Sequence, residues 1–129
     1  MVTRYLIDTS IASKYMDGLL SEKGFEFMDS VFEVESNISI ITKIELLSWV
    51  TEEKSLFQQV AIFVEDSTIY QLSEEIALKT IQLRRKYKLK TPDAIIAATA
   101  IIHKQTVLTD NERDFRALKG VKISNPNRL

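Results

Sequence analysis

Four acidic residues stand where carboxylates from different parts of a chain could act together. The first two follow apolar, β-branched runs that predict buried strands, and the fourth follows a later run of the same kind. The third lies in the first turn of the segment 91–103, which is apolar on nearly every side and therefore predicts a buried helix. The first three are Asp8, Glu45 and Asp93, and the fourth belongs to the segment from Asp110 to Asp114.

Neighbouring ionised carboxylates need a cation to offset their mutual repulsion. Two of them about 4 Å apart repel each other by roughly 4 kcal/mol at an effective dielectric of 20, so several cannot stay ionised and unpaired. All the candidate ligands are oxygens, and the chain contains no cysteine. This chemistry favours a hard ion such as Mg²⁺ or Mn²⁺ over structural zinc.

Composition limits the classes of protein to which the chain can belong. Its 129 residues, 45% hydrophobic and 27% charged, fit one globular domain over residues 1–129. Three glycines are too few for a glycine-rich phosphate loop, and a net charge of −1 gives no global attraction to nucleic acid. We expect no signal peptide and no membrane span, and the lack of cysteine fits the reducing cytoplasm.

Apolar runs that predict strands alternate with segments of helical periodicity. This order predicts an α/β fold with a four- to five-stranded, mainly parallel sheet covered by helices on both faces. In such a sheet the active crevice lies beyond the carboxyl ends of the strands. Three of the four acids follow predicted strands, so they would lie at this crevice together with Asp93. Helix-capping preferences predict that Thr91, Thr42 and either Thr9 or Ser10 cap the helices that carry or adjoin these acids.

Four segments in the same order resemble the PIN-domain nucleases, and specifically the VapC-type toxins of toxin–antitoxin pairs. They are Tyr5-Leu6-Ile7-Asp8-Thr9-Ser10, Thr42-x-x-Glu45-Leu46, the run TPDAIIAATA from Thr91 to Ala100, and Leu108-Thr109-x-Asn111-x-x-Asp114-Phe115. The resemblance covers most of the chain. It implies a compact three-layer α/β/α sandwich and a ribonuclease activity that depends on Mg²⁺ or Mn²⁺.

The resemblance also implies a role for particular residues. Asp8, Glu45 and Asp93 would hold one metal ion directly or through water, and Asp114 would be the fourth acid. Asp110 competes with Asp114 for that role, although Asp114 fits the motif spacing better. Thr9, Ser10 and Asn111 would be supporting polar groups. A water bound to the metal, with a lowered pKa, would attack the phosphodiester.

The partners implied by the resemblance are an RNA substrate, a cognate antitoxin that binds an apolar groove and blocks the site, and a second copy of the chain in a homodimer. The basic run from Arg84 to Lys90 is either a solvated helix end or a contact for the RNA backbone. Trp49, Phe57 and Phe63 fit a core or an association surface better than a base-stacking platform.

Two other functions compete with the nuclease. A phosphatase of the haloacid dehalogenase type would use Asp8 as nucleophile, but that class has a second aspartate where Ser10 stands. A PIN-like scaffold that only binds RNA or protein would not need all four acids. The single histidine, His103, lies at the end of the apolar helix, away from the acids, so we expect no role for it as a base or metal ligand.

Overall fold

Short parallel strands alternate with helices along the whole chain, as the hydrophobic pattern predicts. The computed structural model describes residues 2–129. The strands are β1 (Tyr5–Ile7), β2 (Asn37–Ser39), β3 (Thr68–Tyr70), β4 (Thr106–Leu108) and β5 (Ile123–Ser124). The helices are α1 (Thr9–Met16), α2 (Glu22–Phe32), α3 (Ile40–Leu47), α4 (Lys54–Glu65), α5 (Glu74–Lys86), α6 (Thr91–His103) and α7 (Glu112–Arg116), and a 3₁₀ turn follows at Pro126–Arg128.

All the paired strands run parallel, so within each ladder the carboxyl ends of the strands share one edge. β1, β4 and β5 form one ladder in the order β1-β4-β5, and β2 pairs with β3. β2 lies next to β1, where the side chain of Asn37 donates a hydrogen bond of 3.1 Å to the backbone carbonyl of Tyr5. The five parallel strands and the α/β sandwich are therefore confirmed, with a side chain joining the two ladders.

Two hydrophobic cores lie on opposite faces of the sheet. Because side chains alternate along a strand, Leu6 faces the core formed with α5, α6 and α7, whereas Ile7 faces the core formed with α1, α2 and α4. The partners of these residues on β4 follow the same alternation, Val107 with Leu6 and Leu108 with Ile7. Each strand of this pair is therefore held on both faces.

Helix α6 is the most enclosed helix, as its composition predicts. Every residue from Ala94 to Ala100 is buried, and the helix packs along α5. Pro92 occupies its first turn, where the missing backbone N–H costs no hydrogen bond. Among residues 2–129, every helix falls short of the length and apolarity that crossing a membrane requires.

The predicted helix caps are wrong by one to three residues. Thr91 is the first residue of α6 and Lys90 precedes it as the cap without a side-chain hydrogen bond. Ser39, not Thr42, caps α3 through its hydroxyl, because β2 ends two residues earlier than predicted. Asp8 itself stands at the cap of α1, again without a side-chain cap bond. Its carboxylate is therefore left for other contacts.

Candidate active site

Asp8 lies at the carboxyl end of β1, where its side chain is 5% exposed. Its Oδ2 atom accepts hydrogen bonds from the hydroxyls of Thr109, at 2.7 Å, and Ser10, at 3.0 Å. Burial raises the pKa of the Asp8 carboxyl above its ordinary value, although the bonds from Thr109 and Ser10 oppose the shift. A buried carboxylate with only two hydroxyl donors retains capacity for a positive charge.

Asp93 is half-buried in the first turn of α6. Burial is the main reason that its pKa rises from 3.8 to about 6, and the negative charges of three other carboxylates add to the rise. Those three belong to Asp8, Asp114 and Glu45. The charges of the other three sequence-predicted acids, from separate parts of the chain, therefore act on Asp93, and we call these four residues the acid cluster.

Glu45 enters the acid cluster from α3. Its Oε1 atom accepts a hydrogen bond of 2.6 Å from the hydroxyl of Thr9, which opens α1. The Thr9 hydroxyl also lies 3.0 Å from that of Thr42, one turn before Glu45 and fully buried. Thr42, predicted as a helix cap, is instead part of the polar link between α1 and α3.

Asp114 is held by the loop that joins β4 to α7. Asn111 donates a hydrogen bond of 2.7 Å from its Nδ2 atom to the Asp114 carboxylate. The backbone N–H of Asn111 donates to the hydroxyl of Thr109 at 2.9 Å, and that hydroxyl donates to Asp8. One buried threonine therefore connects the acid at the end of β1 to the acid on α7.

Asp110 is occupied by other partners. It pairs with the ammonium group of Lys14 on α1, and its Oδ1 atom accepts a hydrogen bond of 3.1 Å from Asn125. The Lys14 ammonium lowers the pKa of the Asp110 carboxyl, and Asn125 lowers it further. Its charge is therefore neutralised within the protein, whereas Asp114 contributes its charge to the acid cluster.

The acid cluster suits a hard cation held partly through water. Among residues 2–129, no group of three acidic or histidine side chains is arranged to hold one ion by itself, so a cation at Asp8, Glu45 and Asp93 would be bound in part through water. The hydroxyl of Thr9 binds Glu45, and the hydroxyls of Ser10 and Thr109 bind Asp8. Mg²⁺ keeps several of its waters and takes one or two carboxylates directly, so an all-oxygen cluster of this kind fits it.

The other residues considered from the sequence lie elsewhere. His103 stacks on Tyr70, with ring centroids 4.0 Å apart, at the opposite end of α6 from Asp93. Trp49 and Phe57 are partly exposed, at 44% and 43%. Phe63 contacts the ring of Phe32 within the second core.

Sequence reasoning missed three residues that support the acid cluster. Thr109 could have been noticed, because it is a polar residue at the end of a buried strand and inside the last motif. For Lys14 and Asn125, no motif or pattern in the neighbouring sequence indicated a role in the site. Asn125 is buried and donates to both Asp110 and Glu112, each at 3.1 Å, so it fixes the β4–α7 loop from the C-terminal segment.

The raised pKa of Asp93 makes the stability of the metal-free protein depend on pH. Its carboxyl has a higher pKa in the folded state, so it stabilises the fold at low pH, and this contribution is lost as the pH rises from about 4 through 6. Because the group is half-exposed, solvent screening limits the effect to about 1 kcal/mol. In EDTA, urea unfolding should therefore show that Asp93→Asn stabilises the protein at about pH 8 and hardly at about pH 4. An equal change at both values would contradict the shift.

Comparison with known proteins identifies the family. A model described as the PIN domain matches residues 5–121. A protein described as Ribonuclease VapC1, from Rickettsia felis, is 26% identical over 129 residues and aligns with 92% of each chain. A solved toxin–antitoxin complex from Klebsiella pneumoniae contains a chain that is 29% identical, with a TM-score of 0.77 over 95% of this chain and 97% of that one.

A second solved structure supports the fold. VapBC2 from Rickettsia felis, solved with a DNA fragment from its promoter, gives a TM-score of 0.81 at 19% identity and covers 95% of this chain and 98% of that chain. The resemblance of the four motifs to VapC-type PIN domains is confirmed by these matches. The chain belongs to the PIN domain family.

Proposed function

We propose that this PIN domain is a divalent-cation-dependent endoribonuclease and the toxin of a toxin–antitoxin pair. One observation carries the nuclease proposal: the pKa of Asp93 is raised by burial and, beyond that, by the negative charges of three carboxylates from other elements. Such a concentration of negative charge is costly unless a cation offsets it. An arrangement of this kind is better explained by metal chemistry than by a contribution to stability.

The relatives support the choice of substrate and of biological role. The Rickettsia felis relative is described as a ribonuclease, and the Klebsiella pneumoniae chain was solved in a toxin–antitoxin complex. We extend both descriptions to this chain. The proposed compartment is the cytoplasm, which holds RNA and suits a chain that has no cysteine.

In the proposed site Asp8, Glu45 and Asp93 hold Mg²⁺ or Mn²⁺, in part through water, and Asp114 assists. Bound there, the ion would supply a water of lowered pKa for attack on phosphorus and would offset charge on the phosphate.

The chain's own hydroxyls and amides position these acids. Thr109 and Ser10 fix the Asp8 carboxylate, Thr9 fixes Glu45, and Asn111 fixes Asp114. Because each donor is itself on or next to a helix or strand, the acids are oriented before substrate arrives.

An apolar groove beside the acid cluster is the proposed binding place of the antitoxin. The groove has a volume of about 240 Å³ and reaches from Glu45 to the side chain of Trp49. A partner seated in it would cover the approach to Glu45 and block the site. Exposed apolar residues on α5, Leu78 and Ile81, each 53% exposed, support the proposed homodimer.

The test is cleavage of RNA by the purified chain with Mg²⁺ or Mn²⁺ and with EDTA. Fragments are expected with either cation and not with EDTA. RNA that remains intact with both cations, while still binding the protein, would favour the non-catalytic scaffold instead.

A further inference from the structure

The connection between α5 and α6 carries a row of exposed cations that leads to the acid cluster. Lys86, Lys88 and Lys90 are all exposed. Lys90 is the N-cap residue of α6, and Asp93 lies in the first turn of the same helix. The row therefore ends beside one of the proposed metal-binding carboxylates.

This connection is fixed in place by contacts of its own. Arg84 donates from its Nε atom to the backbone carbonyl of Leu89, at 3.2 Å, and the side chain of Leu89 is buried in the first core. The hydroxyl of Tyr87 accepts a hydrogen bond of 3.2 Å from the backbone N–H of Lys119. That bond brings the segment after α7, with another exposed lysine, next to the connection.

We call the surface formed by Lys86, Lys88, Lys90 and Lys119 the basic platform. The side-chain ion pairs formed within residues 2–129 join Arg4 to Glu35, Lys14 to Asp110 and Arg128 to Glu112. No lysine of the basic platform belongs to any of these pairs. Lys86 instead lies 5.6 Å from the ring centroid of Tyr87. The ammonium groups of these four lysines are therefore not paired with a carboxylate of residues 2–129, and the backbone that carries them is held by the contacts described above.

A second surface borders the acid cluster at Glu45. The groove there is lined by Asp17 and Glu45 together with Leu46, Trp49 and Val60. A polyanion gains nothing from such a surface, and the chain as a whole carries a net charge of −1. Of these two surfaces, the basic platform is therefore the one that attracts a phosphate backbone.

We infer that the basic platform binds the sugar–phosphate backbone of the RNA strand and guides the strand into the acid cluster. The inference rests on the proposed function for the identity of the polyanion. Lysines that neutralise phosphates contribute affinity that is independent of sequence and falls with salt. The basic platform would therefore determine the affinity for RNA, and the acid cluster would be the place of cleavage.

The experiment measures binding separately from cleavage. Fluorescence anisotropy with a labelled single-stranded RNA of about 20 nucleotides, in EDTA, gives the Kd at several KCl concentrations. The test variant combines Lys88→Gln, Lys90→Gln and Lys119→Gln. The control variant removes the same charge from three other exposed lysines through Lys54→Gln, Lys104→Gln and Lys122→Gln. Thermal melts confirm that both variants fold.

The test variant should bind RNA at least about 5-fold more weakly at 100 mM salt. The slope of log affinity against log salt should become shallower by about 2, since each phosphate contact to a single strand contributes about 0.7. The control variant should stay within about 2-fold of the parent. Equal affinity of test variant and parent, an equal loss in the control, or no binding by the parent would overturn the inference.

The two proposals can fail separately. A parent protein that binds RNA through the basic platform but cleaves nothing with Mg²⁺ would overturn the nuclease proposal and leave this inference standing. A parent that cleaves RNA, with a test variant that binds and cleaves like it, would overturn this inference alone.

Discussion

Asp93→Asn is expected to reduce the rate of RNA cleavage at least about 100-fold, the scale on which loss of a charge-stabilising group acts. The substitution keeps the shape of the side chain at the start of α6 and removes the negative charge that the proposed cation needs. Because Asp93 is crowded by three other carboxylates, the variant should fold at least as well as the parent in EDTA. Initial rates with saturating Mg²⁺ and the same RNA measure the effect.

The matched control is Asp110→Asn, a change of the same kind in the loop that precedes Asp114. Asp110 is neutralised by Lys14, so this variant should cleave within about 3-fold of the parent and lose less than about 1 kcal/mol of stability, as for a partly exposed ion pair. The assignment of Asp93 is contradicted if its variant cleaves at the parental rate. A larger loss from Asp110→Asn than from Asp93→Asn would move the fourth acid to Asp110.

Ala97→Leu is expected to damage both stability and cleavage. Ala97 is fully buried in α6, one turn from Asp93, and lies in the core that contains Leu6 and Val107. Additional methylenes in a packed core cost about 1–3 kcal/mol and move the backbone. A displacement of about 1 Å at a reacting group can reduce the rate about 100-fold. Urea unfolding and cleavage rates, measured well below the melting temperature, give the two effects.

Ala117→Leu provides the comparison, because Ala117 is exposed just after α7. This variant should keep parental stability within about 0.5 kcal/mol, as surface substitutions usually do, and parental cleavage. If Ala97→Leu folded normally and cleaved at the parental rate, close packing of α6 would have no part in placing Asp93.

Features that depend on local pattern could be predicted from the sequence. The bounds of α6 follow from an apolar segment that begins with Thr91-Pro92 and ends at His103. The alternation of strands and helices likewise predicts that the acids of β1, α3 and α6 lie at the carboxyl edge, and the charges of Asp8 and Glu45 add to the effect of burial on the pKa of Asp93. Four correctly spaced motifs made the family recognisable.

Features that depend on distant contacts could not be predicted. Capping was wrong at Thr42 because the end of a strand two residues earlier made Ser39 the cap. The neutralisation of Asp110 by Lys14 joins residues 96 positions apart, and no local pattern reports such a pair. The hydroxyl of Thr109 joins Asp8 across 101 positions in the same way. Long-range polar contacts like these determine which acidic side chains are neutralised within the protein and which remain available to bind a cation.

The dependence of cleavage on Mg²⁺ concentration tests the metal site most directly. The parent, freed of metal and titrated with Mg²⁺, should go from no cleavage in EDTA to a saturating rate. Asp8→Asn should need at least about 10-fold more Mg²⁺, as expected when a group that binds or orients the metal is lost, or remain inactive throughout. Cleavage by the parent in EDTA at the rate seen with Mg²⁺ would contradict the metal-dependent site.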